Sequence, residues 1–282
     1  MAATVARSMR CLYVDLDGTL LGPGASLLRD ADGAFTLDGI KALQACDRAG
    51  VEVVIYSGRM QASVREDARL IGQSAYIFEL GCGLMVDGEL EWLTGGIEPG
   101  PEHGSIFDQL AATGAPQALL NRFAGSLEYH TPWSVGREVS HLFRGFIDLD
   151  EAQSMLNAGG WEALRLVDNG VITEHADRFP EFPRVHCYHL IPATASKVGA
   201  VARHMQNRGY TREDCIAVGD SREDLQAADA VGCFWLVANA LERDPTLVEE
   251  IRGRERIRVA EQSFGAGVYE AVVTTLATRA AD

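Results

Sequence analysis

Cys11-Leu12-Tyr13-Val14-Asp15-Leu16-Asp17-Gly18-Thr19-Leu20 is an apolar run of strand type that ends in two carboxylates one residue apart, a glycine and a threonine. Acid at the end of a buried strand makes a poor core and a good site. In open α/β sheets ligands bind outside the carboxyl ends of the strands, so Asp15 and Asp17 stand at that rim. Gly18 then lets backbone approach a ligand closely. An Asp-Gly turn could also close a hairpin, but Gly22-Pro23-Gly24 leaves no room for the returning strand.

Outward from this stretch, Leu37, Ile40, Leu43 and Cys46 recur at helical spacing, and Gly50 stops the helix before the strand-like Val51–Tyr56. A right-handed crossover makes the second strand parallel to the first and brings Ser57 to the rim beside Asp15. Ser57-Gly58-Arg59 leads into a helix over Ala62–Ile71; taken alone, Ser57 fits a helix cap equally well. A strand over Ala75–Glu79 and a hairpin around Asp87-Gly88 follow. The α/β texture returns at Ser196-Lys197, which opens a helix closed by Gly209. Cys215–Val218, the turn Gly219-Asp220-Ser221, a further helix, Cys233–Val237, Arg256–Ala260 and a last helix over Val268–Ala277 complete it.

Between these halves the texture differs. Ile97–Gly104 is rich in Pro, Gly and Glu and marks a boundary. The spacing predicts a helix over Ser105–Phe123, a strand Leu127–His130, a helix around Val135–Phe143, a strand Gly145–Leu149 and a helix Asp150–Ala158. Asp168-Asn169-Gly170 is read as a hairpin turn between Leu164–Val167 and Val171–Glu174, Ala176–Arg184 as a surface loop, and His186–Ile191 as a last strand. The expected architecture is a doubly wound, mainly parallel α/β core over residues 1–96 and 190–282, with an inserted α+β domain over 97–189.

At 282 residues the chain is long enough for two domains. Its 47% hydrophobic and 23% charged content describes a soluble globular protein, and no run approaches the roughly 18 apolar residues of a membrane span. Met1–Arg10 lacks a secretory apolar stretch, so the cytoplasm is the expected compartment. A net charge of −15 argues against non-specific nucleic-acid binding. The six cysteines lie far apart with no Cys-x-x-Cys pair and no His at zinc spacing, and read as reduced core thiols.

Two features of the last segment are locally unfavourable. Lys197 lies in the first turn of a helix, where the dipole disfavours a cation by roughly 0.3–1 kcal/mol. Asp220 ends an apolar strand as Asp15 does, and Asp224 follows on the same helical face, where Ser221-x-x-Asp224 also fits a capping box. The rim thus gathers Asp15, Asp17, Asp220, Asp224, Ser57 and Lys197. Two carboxylates at about 4 Å repel by roughly 4 kcal/mol at an effective dielectric of 20, so the cluster needs a cation. Oxygen donors without His or Cys suit Mg2+, and Mg2+ held by carboxylates suits a phosphate substrate. A carboxylate can attack phosphorus while a second protonates the leaving oxygen and then activates water.

Asp15-Leu16-Asp17-Gly18-Thr19, Ser57, Lys197 and Gly219-Asp220-Ser221-x-x-Asp224, in this order, resemble the four motifs of the haloacid dehalogenase superfamily. The resemblance covers roughly residues 10–95 and 190–280. It implies Asp15 as nucleophile, Asp17 as acid/base, and Ser57 and Lys197 as phosphoryl clamps. It also implies Mg2+ held by Asp15, Asp220 and the backbone carbonyl of Asp17 with help from Asp224, and a large α/β cap that closes over the site and selects the substrate.

Within that superfamily the chain is similar to mannosyl-3-phosphoglycerate phosphatases, in Glu79-Leu80-Gly81-Cys82-Gly83, in Arg137-Glu138 with Arg144-x-Phe146-x-Asp148, and in Tyr188-His189-Leu190. It departs from them at Leu80 and Gly145, at Val198 after the motif lysine, and at Glu223, where an asparagine is usual. Arg137, His141 and Arg144 share a face if their segment is helical, and arginine forks suit a substrate carboxylate. They stand as substrate-binding candidates with Gly58, against the alternative of a solvated basic helix face. His186 and His189 read as structural.

The expectation is a Mg2+-dependent phosphatase of a small phosphorylated sugar or related metabolite, mannosyl- or glucosyl-3-phosphoglycerate among them. It acts as a monomer or homodimer without nucleic-acid or membrane partners. A phosphotransferase or mutase with the same nucleophile, or a non-catalytic binding protein on the same scaffold, are the alternatives.

Overall fold

The computed structural model describes residues 9–172, 179–182 and 184–281. Their larger sheet is built from β1 (Cys11–Val14), β2 (Glu52–Tyr56), β3 (Tyr76–Phe78), β4 (Gly83–Val86) and β5 (Glu89–Trp92), then from β10 (Cys215–Gly219), β11 (Cys233–Leu236) and β12 (Ile257–Val259). The order is β12-β11-β10-β1-β2-β3-β4-β5, parallel from β12 to β3 and antiparallel through β4 and β5. β1 is central, with Cys11–Val14 in register with Cys215–Val218 on one side and Glu52–Ile55 on the other.

All four β1 side chains are buried because helices cover both faces. Leu12 and Val14 pack toward α1 (Asp38–Ala49) and α10 (Phe264–Ala281), while Cys11 and Tyr13 pack toward α6 (Lys197–Arg208). Gly50 and Gly209, at φ 66° and 64°, end α1 and α6 in the left-handed conformation that a side chain would strain. α2 (Gln61–Leu70) joins β2 to β3.

The smaller sheet is antiparallel, order β6-β7-β9-β8, formed by β6 (Leu127–Tyr129), β7 (His141–Gly145), β8 (Leu164–Ile172) and β9 (Val185–Pro192). It lies in the chain between β5 and α6. α3 (Ile106–Ala112), α4 (Ala115–Arg122) and α5 (Leu149–Ala158) cover one of its faces, burying Leu110, Leu119, Phe143, Leu156, Tyr188 and Leu190 together. No helix of the described residues is long and apolar enough to cross a membrane.

Four local expectations are corrected, one of them the strand expected over Gly145–Leu149, where β7 instead ends at Gly145 and α5 begins at Leu149. The helix expected over Ser105–Phe123 is two, because Gly114 adopts φ 82° between α3 and α4. The segment Val135–Phe143 is not helical: the buried Glu79 carboxylate accepts the N–H groups of Glu138, Val139 and Ser140, at 2.9, 3.3 and 2.5 Å, and β7 follows at His141. Asp168-Asn169-Gly170 is not a hairpin turn. β8 runs through it as a bulge, with Asp168 opposite Tyr188 and Val171 opposite His186 on β9.

Residues 173 and 174 of that expected hairpin, and 176–178 and 183 of the expected loop Ala176–Arg184, lie outside the described residues. Phe179 is buried and packs on Phe182, which packs on Phe146.

Candidate active site

Parallel pairing places the C-terminal ends of β1, β2 and β10 side by side, which brings Asp15, Ser57 and Asp220 to one rim. The Lys197 ammonium, at the start of α6, donates to Oδ1 of Asp15 and to Oδ1 of Asp224, each at 2.7 Å, and stands 4.8 Å from the centre of the Tyr56 ring. It is 1% exposed, and the two carboxylates hold its pKa up against the burial that lowers it. The cation unfavourable to its helix is thus held by two anions.

Oxygens of Asp15, Asp220 and Asp224 lie within 4.8 Å of one another. Burial pushes Asp15 well above the usual carboxylate range, with Lys197 opposing it and Asp224 and Asp220 adding to it. Burial likewise pushes Asp220 up to about 6 against the pull of Arg243. Asp224 is both cap and site residue: its Oδ2 accepts from Ser221 N and Oγ, at 3.1 and 2.7 Å, while its Oδ1 meets Lys197.

Asp17 points outward, its side chain about half exposed, into a two-pronged grip: Arg59 Nε and Nη2 donate to Oδ2 and Oδ1 at 2.7 and 2.6 Å. Arg59 Nη1 is tied to Asp67 at 3.0 Å. Ser57 is 2% exposed, and its Oγ accepts from Arg59 N at 3.2 Å.

Sequence reasoning assigned no role to Arg59, Thr19, Asn239 or Arg243. Thr19 donates to Asp220 Oδ1 at 3.1 Å, Asn239 donates to the Gly18 carbonyl at 2.8 Å, and Arg243 donates to Asp220 Oδ2 and, at 2.8 Å, to the carbonyl of Val171. Thr19 lies within the first motif and Arg59 adjoins Ser57, so both have a local signal. Asn239 and Arg243, on α8 (Ala238–Arg243), join the site only through the fold.

The donor set is three clustered carboxylates with no His or Cys among them, which fits a hard cation such as Mg2+. The guanidinium on Asp220 Oδ2 shows that this edge of the cluster accepts positive charge.

The smaller sheet turns its uncovered face to this rim. A Cβ on Gly58 would lie 2.9 Å from Asn169 Nδ2 and 3.3 Å from His189 Nε2, so a glycine there permits the approach. Burial and the charges of Arg137 and Lys197 hold the His189 imidazole well below its ordinary pKa, hence neutral.

Arg137 donates to the carbonyl of Gly58 at 3.1 Å and to Ser140 Oγ at 2.8 Å, pinning the loop after β2. His141 lies on the helix-covered side, stacked on Phe107 with ring centres 3.8 Å apart and both nitrogens engaged, by Tyr129 OH and the Phe107 carbonyl. The structure does not bring it to the rim. On a strand His141 and Arg144 point to opposite faces, so the common helical face expected for them with Arg137 does not exist.

Arg144, opposite Cys187 and next but one to Leu142, the partner of His189, is on the rim-facing side. It is 1% exposed, donates from Nε to Glu128 at 2.7 Å, and leaves Nη1 without a hydrogen-bond partner among the described residues.

No protein-family model matches the chain. It is 24% identical over 269 residues to a phosphoglycolate phosphatase of Metallosphaera sedula, covering 93% of this chain and 96% of that protein. Among solved structures it resembles the sucrose-phosphatase of a Synechocystis species in complex with sucrose and phosphate, at TM-score 0.64 and 16% identity over 95% of this chain and 98% of that one. It also resembles a phosphatase of the haloalkanoate (HAD) enzyme superfamily from Bacteroides thetaiotaomicron, at TM-score 0.61 and 16% identity over 98% of each chain.

Proposed function

We propose that this chain, a phosphatase of the haloacid dehalogenase superfamily, hydrolyses the phosphomonoester of a small phosphorylated sugar or hydroxy acid in a Mg2+-dependent reaction. The reading is carried by the Lys197 ammonium held between Asp15 and Asp224, at a rim where a third carboxylate, Asp220, converges.

Asp15 Oδ attacks phosphorus, forming an aspartyl-phosphate as the bond to the leaving oxygen breaks. Asp17 gives that oxygen its proton, then takes one from the water that attacks the aspartyl-phosphate, which releases phosphate and returns Asp15. Arg59 holds both Asp17 oxygens, which suits the carboxylate that takes the proton from water; for the first transfer one Asp17 oxygen leaves the fork to carry the proton it gives. Ser57 and Lys197 take the phosphoryl oxygens, so charge that develops there meets donors already in place. Asp15, Asp220 and the backbone carbonyl of Asp17 would hold Mg2+, with Asp224 assisting, and the bound ion would offset negative charge on the phosphate.

We assign the smaller sheet with its helices, residues 97–189, to a cap that excludes water and selects the leaving group. Asn169, His189 and Arg144, whose Nη1 has no hydrogen-bond partner among the described residues, share its rim-facing side and are the groups offered to that leaving group. The names of relatives support an acidic or sugar-like one: phosphoglycolate for the Metallosphaera protein and sucrose phosphate for the Synechocystis one.

The test is phosphate release from a panel of phosphoglycolate, sugar phosphates and mannosyl- and glucosyl-3-phosphoglycerate, with and without Mg2+, beside Asp15→Asn. Mg2+-dependent turnover that the substitution abolishes is expected. Turnover that survives Asp15→Asn would overturn the mechanism.

A further inference from the structure

At the opposite end of β1, about 13 Å from Asp15 by strand rise, the fold assembles a different set of donors. Cys11 opens β1, Glu52 opens β2, and His204 comes from α6. One Cys, Glu and His atom each lie within 4.8 Å of one another. We propose that Cys11, Glu52 and His204 form a second metal site, selective for a thiophilic divalent cation of the zinc(II) class and independent of the phosphatase centre.

The imidazole carries the argument. His204 is fully buried, and its Nε2 has no hydrogen-bond partner among the described residues; it faces Glu52 Oε2 across an ion-pair distance of 3.7 Å. Its other nitrogen is fixed by Tyr13 OH at 2.8 Å. Metal-bound imidazoles have this arrangement, with one nitrogen oriented by a neighbour and the other on the ion. A buried nitrogen and a carboxylate oxygen 3.7 Å apart are too far for a hydrogen bond and leave room for an ion between them.

Glu52 is prepared to be shared. Arg208 Nε and Nη2 take its Oε1 at 3.0 and 2.8 Å, which leaves Oε2, held by Tyr210 OH at 2.9 Å, on the side of His204. Arg208 is itself neutralised by Asp87 at 2.5 Å, so the cluster does not repel a cation through an uncompensated guanidinium.

Access exists on one side. A depression of about 450 Å³, lined by Arg10, Glu52, Arg208 and Tyr210 among others, reaches the cluster through Glu52, whose side chain is 18% exposed, while Cys11 and His204 are sealed. Cys215, in register with Cys11 on β10, supplies a second thiol beside the first.

The two centres differ in chemistry. Three carboxylates suit Mg2+, whereas thiol, imidazole and carboxylate suit zinc in tetrahedral coordination. On binding, the ion replaces the Cys11 thiol proton, which leaves to solvent.

The experiment is titration of chelator-stripped full-length protein with Co2+, read by sulfur-to-cobalt charge-transfer absorption, followed by displacement with Zn2+. Carboxylates alone cannot produce that band, so the phosphatase centre does not interfere. One equivalent per chain with a thiolate band that zinc abolishes is expected. Cys11→Ser should lose the band, and Glu52→Gln, partly exposed and expected to keep its fold by circular dichroism, should bind zinc about tenfold or more weakly. Absence of the band in the parent protein, or a band and zinc affinity unchanged in both Cys11→Ser and Glu52→Gln, would overturn the proposal.

Discussion

Arg165 of β8 donates from Nη2 to Oε1 of Glu223 on α7 (Arg222–Leu225) at 2.8 Å, so a residue of the smaller sheet is paired with a residue of the motif helix that carries Asp224. Glu223 is 3% exposed, its Oε2 accepts from Gln226 at 3.1 Å, and Arg165 also donates to the carbonyl of Ala195 at 2.9 Å. The glutamate that replaces the usual asparagine therefore faces the smaller sheet. Glu223→Asn should leave Mg2+ affinity unchanged within about twofold and lower stability by about 1 kcal/mol through the lost pair with Arg165, which keeps the Ala195 carbonyl. Mg2+ titration and urea unfolding read the two effects separately.

Lys197 neutralises two buried carboxylates at once. Lys197→Met leaves Asp15 and Asp224 uncompensated and should cost about 3–5 kcal/mol of stability as well as the activity. Asp15→Asn removes the nucleophile without stranding a charge. It should abolish phosphate release with much less loss of stability, a contrast that urea unfolding and a phosphate assay resolve.

Arg59 grips Asp17 with two nitrogens while a third meets Asp67. Lysine keeps the charge and cannot reproduce the fork. Arg59→Lys should lower kcat about tenfold or more with little change in KM, since Asp17 acts in the proton transfers and not in holding substrate. Steady-state kinetics on the best substrate measure the split.

Burial, with the Glu79 carboxylate beside it, pushes the Glu138 carboxyl up to about 7 from an ordinary 4.5. Between these values the folded protein binds more protons than the unfolded chain, so this group's contribution to stability falls as pH rises from about 4.5 to 7 and is constant above. Glu138→Gln removes that dependence. Thermal midpoints taken from pH 5 to 8 should show the parent losing stability relative to the variant; parallel curves would refute the assignment.

The sequence by itself determined the core. Asp15, Asp17, Ser57, Lys197, Asp220 and Asp224 follow local signals, namely apolar runs of strand length, glycine stops and helix starts. Parallel crossovers then bring strand ends to a common rim whatever the remaining detail.

Tertiary structure decided the rest, because it turns on groups distant in the chain. The Val135–Phe143 segment has a helical pattern, yet Glu79, some 60 residues earlier, captures three of its N–H groups and makes the next residues a strand, which separates His141 from Arg144. Arg243 and Asn239 have no local mark, and nothing local pairs Glu223 with Arg165. Cys11, Glu52 and His204 show no metal-ligand spacing. Periodicity reports which face of an element is apolar, whereas the partner of a buried polar atom is chosen by the packing of elements on one another, and only the folded chain brings those atoms within bonding distance.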